Sequence, residues 1–164
     1  MILDLGLKVI TEIKGDLTQT HATFIAHGVN CQGVMRSGVA RALYEKWPEV
    51  KDGYLHYCNN IVKNPEERLG AVQRINSFDK EIFNCFTQLE YGYDGKLYLD
   101  YEALAKCLRT LNRGMFKYSL NDCHTIAMPK IGCGLAGGDW ERVKSIIEGE
   151  LYSHDVLVYS LDKP

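Results

Sequence analysis

The chain has 164 residues, 46% apolar, 24% charged and 10% aromatic, with 15 Gly and 4 Pro in no repeating pattern. This composition excludes disordered, collagen-like and low-complexity proteins. Nineteen basic against 21 acidic residues leave a formal net charge of -2, which argues against a broad nucleic-acid-binding face. The length predicts one domain over residues 1–164, large enough to bury about 70% of the unfolded chain's surface. No basic-then-apolar leader and no 18-residue apolar run is visible, so no membrane partner is expected. Cys31, Cys58, Cys85, Cys107, Cys123 and Cys133 form no Cys-x-x-Cys pair, and the expectation is a cytoplasmic protein with reduced thiols.

In chain order, residues 7–13 (LKVITEI) read as a strand ended by Gly15-Asp16. Residues 23–29 (TFIAHGV) form a second, short and mostly apolar. Residues 37–47 read as a helix with Ser37 as N-cap and Val39, Ala40, Leu43 and Trp47 at helical spacing, stopped at Pro48. An amphipathic segment over 53–62 ends before Asn64-Pro65. Residues 71–75 and 81–86 are strand-like, with Asn76, Ser77 and Asp79 as turn residues.

Asp100 is placed to cap a helix reaching about Lys117, with Leu104, Leu108, Leu111 and Met115 on one face. Residues 125–131 are a strand in which Pro129 marks a sheet edge or the strand's exit. Residues 139–151 predict a helix with Val143, Ile146, Ile147 and Leu151 inward. Residues 155–161 (DVLVYSL) predict a strand buried on both faces. The alternation predicts a three-layer α/β/α domain around a mixed, largely parallel sheet of about six strands.

Two glycine-rich loops, residues 28–38 and 132–138, each follow an apolar strand and open a helix. In open α/β sheets ligands bind beyond the carboxyl ends of the strands. A helix N-terminus there offers unpaired N–H groups to an anion, and glycine lets the backbone approach a phosphate closely. Two such loops facing one crevice suit a diphosphate; the alternative is that the glycines only turn the chain. No G-x-x-x-x-G-K-[ST] motif and no Cys-x5-Arg cradle is present. Residues 132–137 read G-x-G-x-x-G but in the last βα unit, leaving a hydride-transfer enzyme as a minor candidate.

At these loops the sequence resembles the macrodomain family of ADP-ribose-binding modules. The resemblance rests on Gly15-Asp16-Leu17-Thr18, on residues 25–33 (IAHGVNCQG) followed by Ser37-Gly38-Val39-Ala40, and on residues 126–135 (IAMPKIGCGL). Within the family it is closest to the branch of yeast-type ADP-ribose 1''-phosphate phosphatases, through His27-x-x-Asn30-Cys31-x-Gly33 and the helix ending near Trp47-Pro48. A glycohydrolase branch also carries the Met-Pro-x-Ile-Gly-Cys-Gly-Leu stretch. Its catalytic Asp is replaced here by Ala136, its catalytic Lys has no counterpart at Gln88-Leu89-Glu90, and Asp139 stands three residues beyond Ala136.

The resemblance implies residue roles. Asp16 would accept from the adenine amino group beside the Leu17 backbone, and Asn30 would hold the distal ribose. Gln32, Gly33 and Ser37 belong to the first loop, where Gly38, Val39 and Ala40 would offer N–H groups to one phosphate. Gly132, Cys133, Gly134, Leu135 and Ala136 would serve the other phosphate and the distal ribose. His27 reads either as a core histidine or as an acid/base near neutral pH, with Asp94 as its partner by analogy with that branch. Tyr91, Tyr93 and Tyr98 read as hairpin packing or as a cover for a ribose or base. The expected ligand is ADP-ribose or ADP-ribose 1''-phosphate, free or on a modified macromolecule. No cofactor is implied, and the histidine spacing suggests no zinc.

Overall fold

The computed structural model describes residues 9–114 and 124–161; Leu7, Met115, Lys117 and Cys123 of the expectations above lie outside them. Strands β1 (Ile10–Lys14), β2 (Phe24–Asn30), β3 (Val72–Ser77), β4 (Lys80–Gln88), β5 (Thr125–Pro129) and β6 (Asp155–Ser160) form one six-stranded sheet. The order is β1-β6-β5-β2-β4-β3. All neighbours run parallel except β3, which is antiparallel to β4. The helices are α1 (Gly38–Lys46), α2 (Glu49–His56), the short α3 (Pro65–Arg68), α4 (Tyr101–Gly114) and α5 (Trp140–Glu150).

Successive strand residues point to opposite faces, and both faces of this sheet are covered. Ile25, Val29, Ile82 and Phe86 pack with Leu43 of α1 and Val50 and Tyr54 of α2. Their neighbours Ala26, Phe83, Ile126 and Met128 pack on the other side with Leu104, Leu108 and Leu111 of α4 and Val143 and Ile147 of α5. Ile146 is only partly buried there. Val156 and Val158 of β6 are buried and their alternates partly so. The three-layer expectation therefore holds.

Two local expectations are corrected, and of the two readings of Pro129 the strand's exit holds. Asn76 and Ser77 belong to β3, because Ser77 pairs with Lys80 and leaves only Phe78-Asp79 as the turn. Pro48 adopts helical backbone at φ -56 and starts α2 at Glu49, since a proline fits the first turn of a helix; the second helix begins before Gly53. Pro129 sits at the exit of β5, a central strand between β6 and β2. The described cysteines are free thiols. Among the described residues no helix is long and apolar enough to cross a membrane.

Candidate functional site

Parallel pairing sends the carboxyl ends of β2, β4 and β5 to one edge of the sheet. Adjacent β2 and β5 then diverge: β2 leads to α1 on one face, and β5 leads to α5 on the other. A crevice forms where neighbouring connections part in this way, and it is the usual ligand position of an open α/β sheet. Here it is a cavity of about 310 Å³, walled by residues 34–40, 91–93 and 129–136 other than Cys133, with Gln88 beside them.

The first loop is held by its own polar groups. Asn30 Nδ2 donates to the Val34 carbonyl at 2.7 Å, while Asn30 Oδ1 accepts from Gln32 N at 2.9 Å and Tyr54 Oη at 3.0 Å. Gln32 Nε2 donates to the Leu89 carbonyl at 2.9 Å. Beneath the loop, the buried Arg68 guanidinium donates to the carbonyls of Cys31 and Cys58 at 2.5 Å each. Helix α1 makes its first main-chain bond from Arg41 N to Ser37 O at 3.3 Å, so Gly38, Val39 and Ala40 carry its unpaired N–H groups. Ser37 makes no side-chain cap; its Oγ lies 3.3 Å from Tyr93 Oη across the cavity mouth.

The second loop is folded on Cys133 N to Lys130 O, Gly137 N to Gly134 O and Gly138 N to Gly132 O. The intervening Gly134, Leu135 and Ala136 line the cavity. The Ala136 carbonyl accepts from Tyr98 N and Leu99 N, tying the loop to the segment after β4. Gly137 has φ +74, and a Cβ there would lie 2.6 Å from the Lys96 carbonyl oxygen, so this position requires glycine.

The fold thus brings Asn30, Ser37, Gly38, Val39, Ala40, Gly132, Gly134, Leu135 and Ala136 around one cavity. Gln32, Gly33 and Cys133 belong to the same loops but shape them from behind: Gln32 as the tie above, Gly33 through its φ of 75. Cys133 Sγ contacts the Ile131 carbonyl at 3.5 Å, and burial pushes its thiol up to about 11. Asp16 and Leu17 share the sheet edge but lie outside the cavity wall. Asp16 Oδ1 accepts from both Thr18 N and Thr18 Oγ1 at 2.8 Å, and Leu17 is buried against the α1 side of the sheet.

Of the two readings of His27 the structure fits the core histidine, and the pairing with Asp94 is absent. His27 borders the cavity floor but is 1% exposed. Its Nε2 is 2.5 Å from Asn84 Oδ1, and its Nδ1 is buried without a partner. Asn84 in turn donates to Gln73 Oε1 and the Val50 carbonyl, so His27 belongs to a polar network between the sheet and α2. Burial lowers its pKa to about 4, leaving a neutral ring whose nitrogens do not reach the cavity. Asp94 is not its partner: the exposed carboxylate accepts from Tyr98 Oη at 2.8 Å and Lys96 N at 3.2 Å. Asp139 is the N-cap of α5, accepting from Arg142 N.

Sequence reasoning gave no role to Arg36, Gln88 and Lys130 on the wall; Arg36 and Lys130 lie within the two recognised loop motifs, and Gln88 reaches the cavity through the β4 register. Of the tyrosine cluster, Tyr91 and Tyr93 line the cavity and Tyr98 does not. No Asp or Glu stands on the described wall. Among the described residues no group of three or more His, Cys, Asp or Glu is placed to hold a metal ion.

A solved structure of a protein of unknown function from Bacteroides thetaiotaomicron is similar over 93% of this chain and 98% of its own, at 31% identity and a TM-score of 0.79. A DNA ADP-ribosyl glycohydrolase of Mycobacterium tuberculosis is 29% identical over 161 residues, which are 92% of this chain but 42% of that protein. An ADP-ribose 1''-phosphate phosphatase of Lodderomyces elongisporus is 27% identical over 165 residues, covering 92% of this chain and 97% of the relative. The Macro domain model matches residues 26–147, the stretch that contains both loops, all of β5 and most of β2. On that match and on this architecture, the chain belongs to the macro domain family.

Proposed function

We propose that the chain binds ADP-ribose in this cavity and hydrolyses the terminal phosphate of ADP-ribose 1''-phosphate. The observation that carries the reading is the convergence of two sets of main-chain donors, at residues 38–40 and 134–136, on one cavity at the β2/β5 divergence. Uncapped N–H groups at a helix start favour phosphate oxygens through both hydrogen bonding and the helix dipole. Asp16, exposed at the same edge, would meet the adenine. Asn30, with one amide hydrogen beyond its bond to Val34, would meet the distal ribose.

The described wall carries no carboxylate, whereas glycoside cleavage commonly uses a carboxylate pair. Phosphoryl transfer asks mainly for positioning and charge stabilisation, which backbone donors supply. Water would attack the phosphorus as its bond to the anomeric oxygen breaks, and a proton of that water would pass to the leaving oxygen, giving ADP-ribose and inorganic phosphate; the ring oxygen, by withdrawing electrons, eases the departure. With both His27 nitrogens inside the protein, His27 would support β2 rather than move protons. The yeast-type phosphatase likeness supports this reading. Likeness to a DNA ADP-ribosyl glycohydrolase supports a second one, release of ADP-ribose from modified macromolecules.

Calorimetry with ADP-ribose and phosphate release from ADP-ribose 1''-phosphate test the proposal. Gly134 has open space around it, so Gly134→Asp should fold normally. Its carboxylate would compete with the phosphate and cut affinity at least about tenfold. Unchanged affinity in that variant, or no binding by the wild type, refutes the proposal. Binding without phosphate release but with release of ADP-ribose from modified DNA favours the second reading, and binding with neither identifies a reader.

A further inference from the structure

A second hollow, of about 240 Å³, lies apart from the main cavity and shares no lining residue with it. It is enclosed by residues 18–21, the C-terminus of α1 and the β3–β4 turn. Lys80 opens β4 and Lys46 closes α1, so the hollow stands at the amino ends of β2 and β4.

Two ammonium groups meet this hollow. Lys80 is 8% exposed, and its Nζ donates to the Thr20 carbonyl at 3.0 Å and the Ala22 carbonyl at 2.6 Å. Lys46 Nζ donates to the Thr18 carbonyl and lies 4.9 Å from the centre of the Trp47 ring. Among the described residues neither ammonium forms an ion pair. Carbonyls satisfy N–H geometry without neutralising charge, which is costly for Lys80 as a buried charge without a countercharge, while Lys46 is exposed at the rim of the hollow. Asp79 is the one acid on the wall and His21 adds an imidazole, leaving a net positive charge.

We propose that this hollow is an anion site that takes a small oxyanion of the phosphate class between Lys46 and Lys80. Each ammonium has three donors. Lys80 spends two on carbonyls and Lys46 one, so both retain an N–H for a charge-assisted bond to a shared oxyanion. The volume exceeds many times the ~10–15 Å³ that a single water requires.

The test is an amide chemical-shift titration of the intact chain with inorganic phosphate and, separately, glycerol 3-phosphate, against chloride at matched ionic strength. Saturable shifts are expected at residues 18–21, 46–47 and 79–80, with a millimolar midpoint. Lys46→Met should weaken binding about tenfold, the loss of one charge-assisted bond. Lys80→Met should weaken binding at least as much; where it fails to fold, Lys80→Arg keeps the charge and should retain binding within about threefold. Saturation by both anions identifies the oxyanion itself as the ligand; saturation by glycerol 3-phosphate alone identifies a phosphate carried on a larger molecule. Shifts that do not saturate, that chloride reproduces, or that Lys46→Met leaves unchanged overturn the proposal.

Discussion

Arg68→Met tests whether the geometry of the first loop is imposed from beneath. Arg68 is buried, and its guanidinium donates to four carbonyls: Cys31 and Cys58 at 2.5 Å, Val62 at 2.6 Å and Lys63 at 2.9 Å. The contacts to Cys31 and Cys58 are buried, and orphaning a buried acceptor costs about 1–3 kcal/mol. Removing a buried charge that has no carboxylate partner among the described residues returns part of that sum, for a net loss of about 3 kcal/mol. In a domain of this size each kcal/mol moves Tm by about 2–4 °C, so the melting point should fall by about 6–12 °C. Because the Cys31 carbonyl fixes the chain immediately before Gln32, ADP-ribose affinity should fall about tenfold. Arg68→Lys, which keeps charge but not the planar fork, should lie between. Calorimetric melting and ADP-ribose titration read the two quantities. A Tm within about 1 °C of wild type would refute the bookkeeping, and a large Tm loss with unchanged affinity would refute the link to the loop.

Three other outcomes follow from the same geometry. His27 has a folded-state pKa of about 4 against an ordinary 6.5, so between those values the unfolded chain binds the extra proton. Stability is therefore full above pH 6.5 and falls as the pH drops toward 4, by about 3 kcal/mol; urea midpoints of His27→Gln should lack that slope. Gly137→Ala meets the Lys96 carbonyl oxygen at 2.6 Å, whereas Gly38→Ala has the same hand of backbone but open space. The first should lose clearly more than the ~1–2 kcal/mol of left-handed strain that the second loses, measured by chemical denaturation. Tyr93→Phe removes only a 3.3 Å contact to Ser37 at an exposed rim, so its stability should stay within about 0.5 kcal/mol, while Tyr93→Ala should weaken ADP-ribose binding by removing the wall.

Much of the architecture was legible in the residue order, because period-two and period-3.6 apolar spacing is a local property. Val143, Ile147 and Leu151 could face inward only as one helical stripe, and both glycine loops fell between a strand and a helix as their composition required. The errors were equally local in origin. Asn76 and Ser77 are turn formers by type, yet ladder pairing with Lys80 and Glu81 holds them in β3. A proline reads as a stop, and α1 does end before Pro48, yet Pro48 also caps the next helix, which starts at Glu49 rather than Gly53.

What the residue order determined by itself is the α/β class, most of the elements and the two glycine loops between strand and helix, since these depend on neighbours a few positions apart. Tertiary structure alone decided that β2 and β5 lie side by side with their helices on opposite faces, which makes one cavity of two loops a hundred residues apart in the chain. It also decided the fate of His27. Its position at the end of an apolar strand admits both a buried and a reactive ring, and only the register His27–Asn84, with α2 laid across it, seals both nitrogens inside. The chemistry of a titratable group follows from which atoms surround it, and those atoms come from strands and helices that the local sequence does not specify.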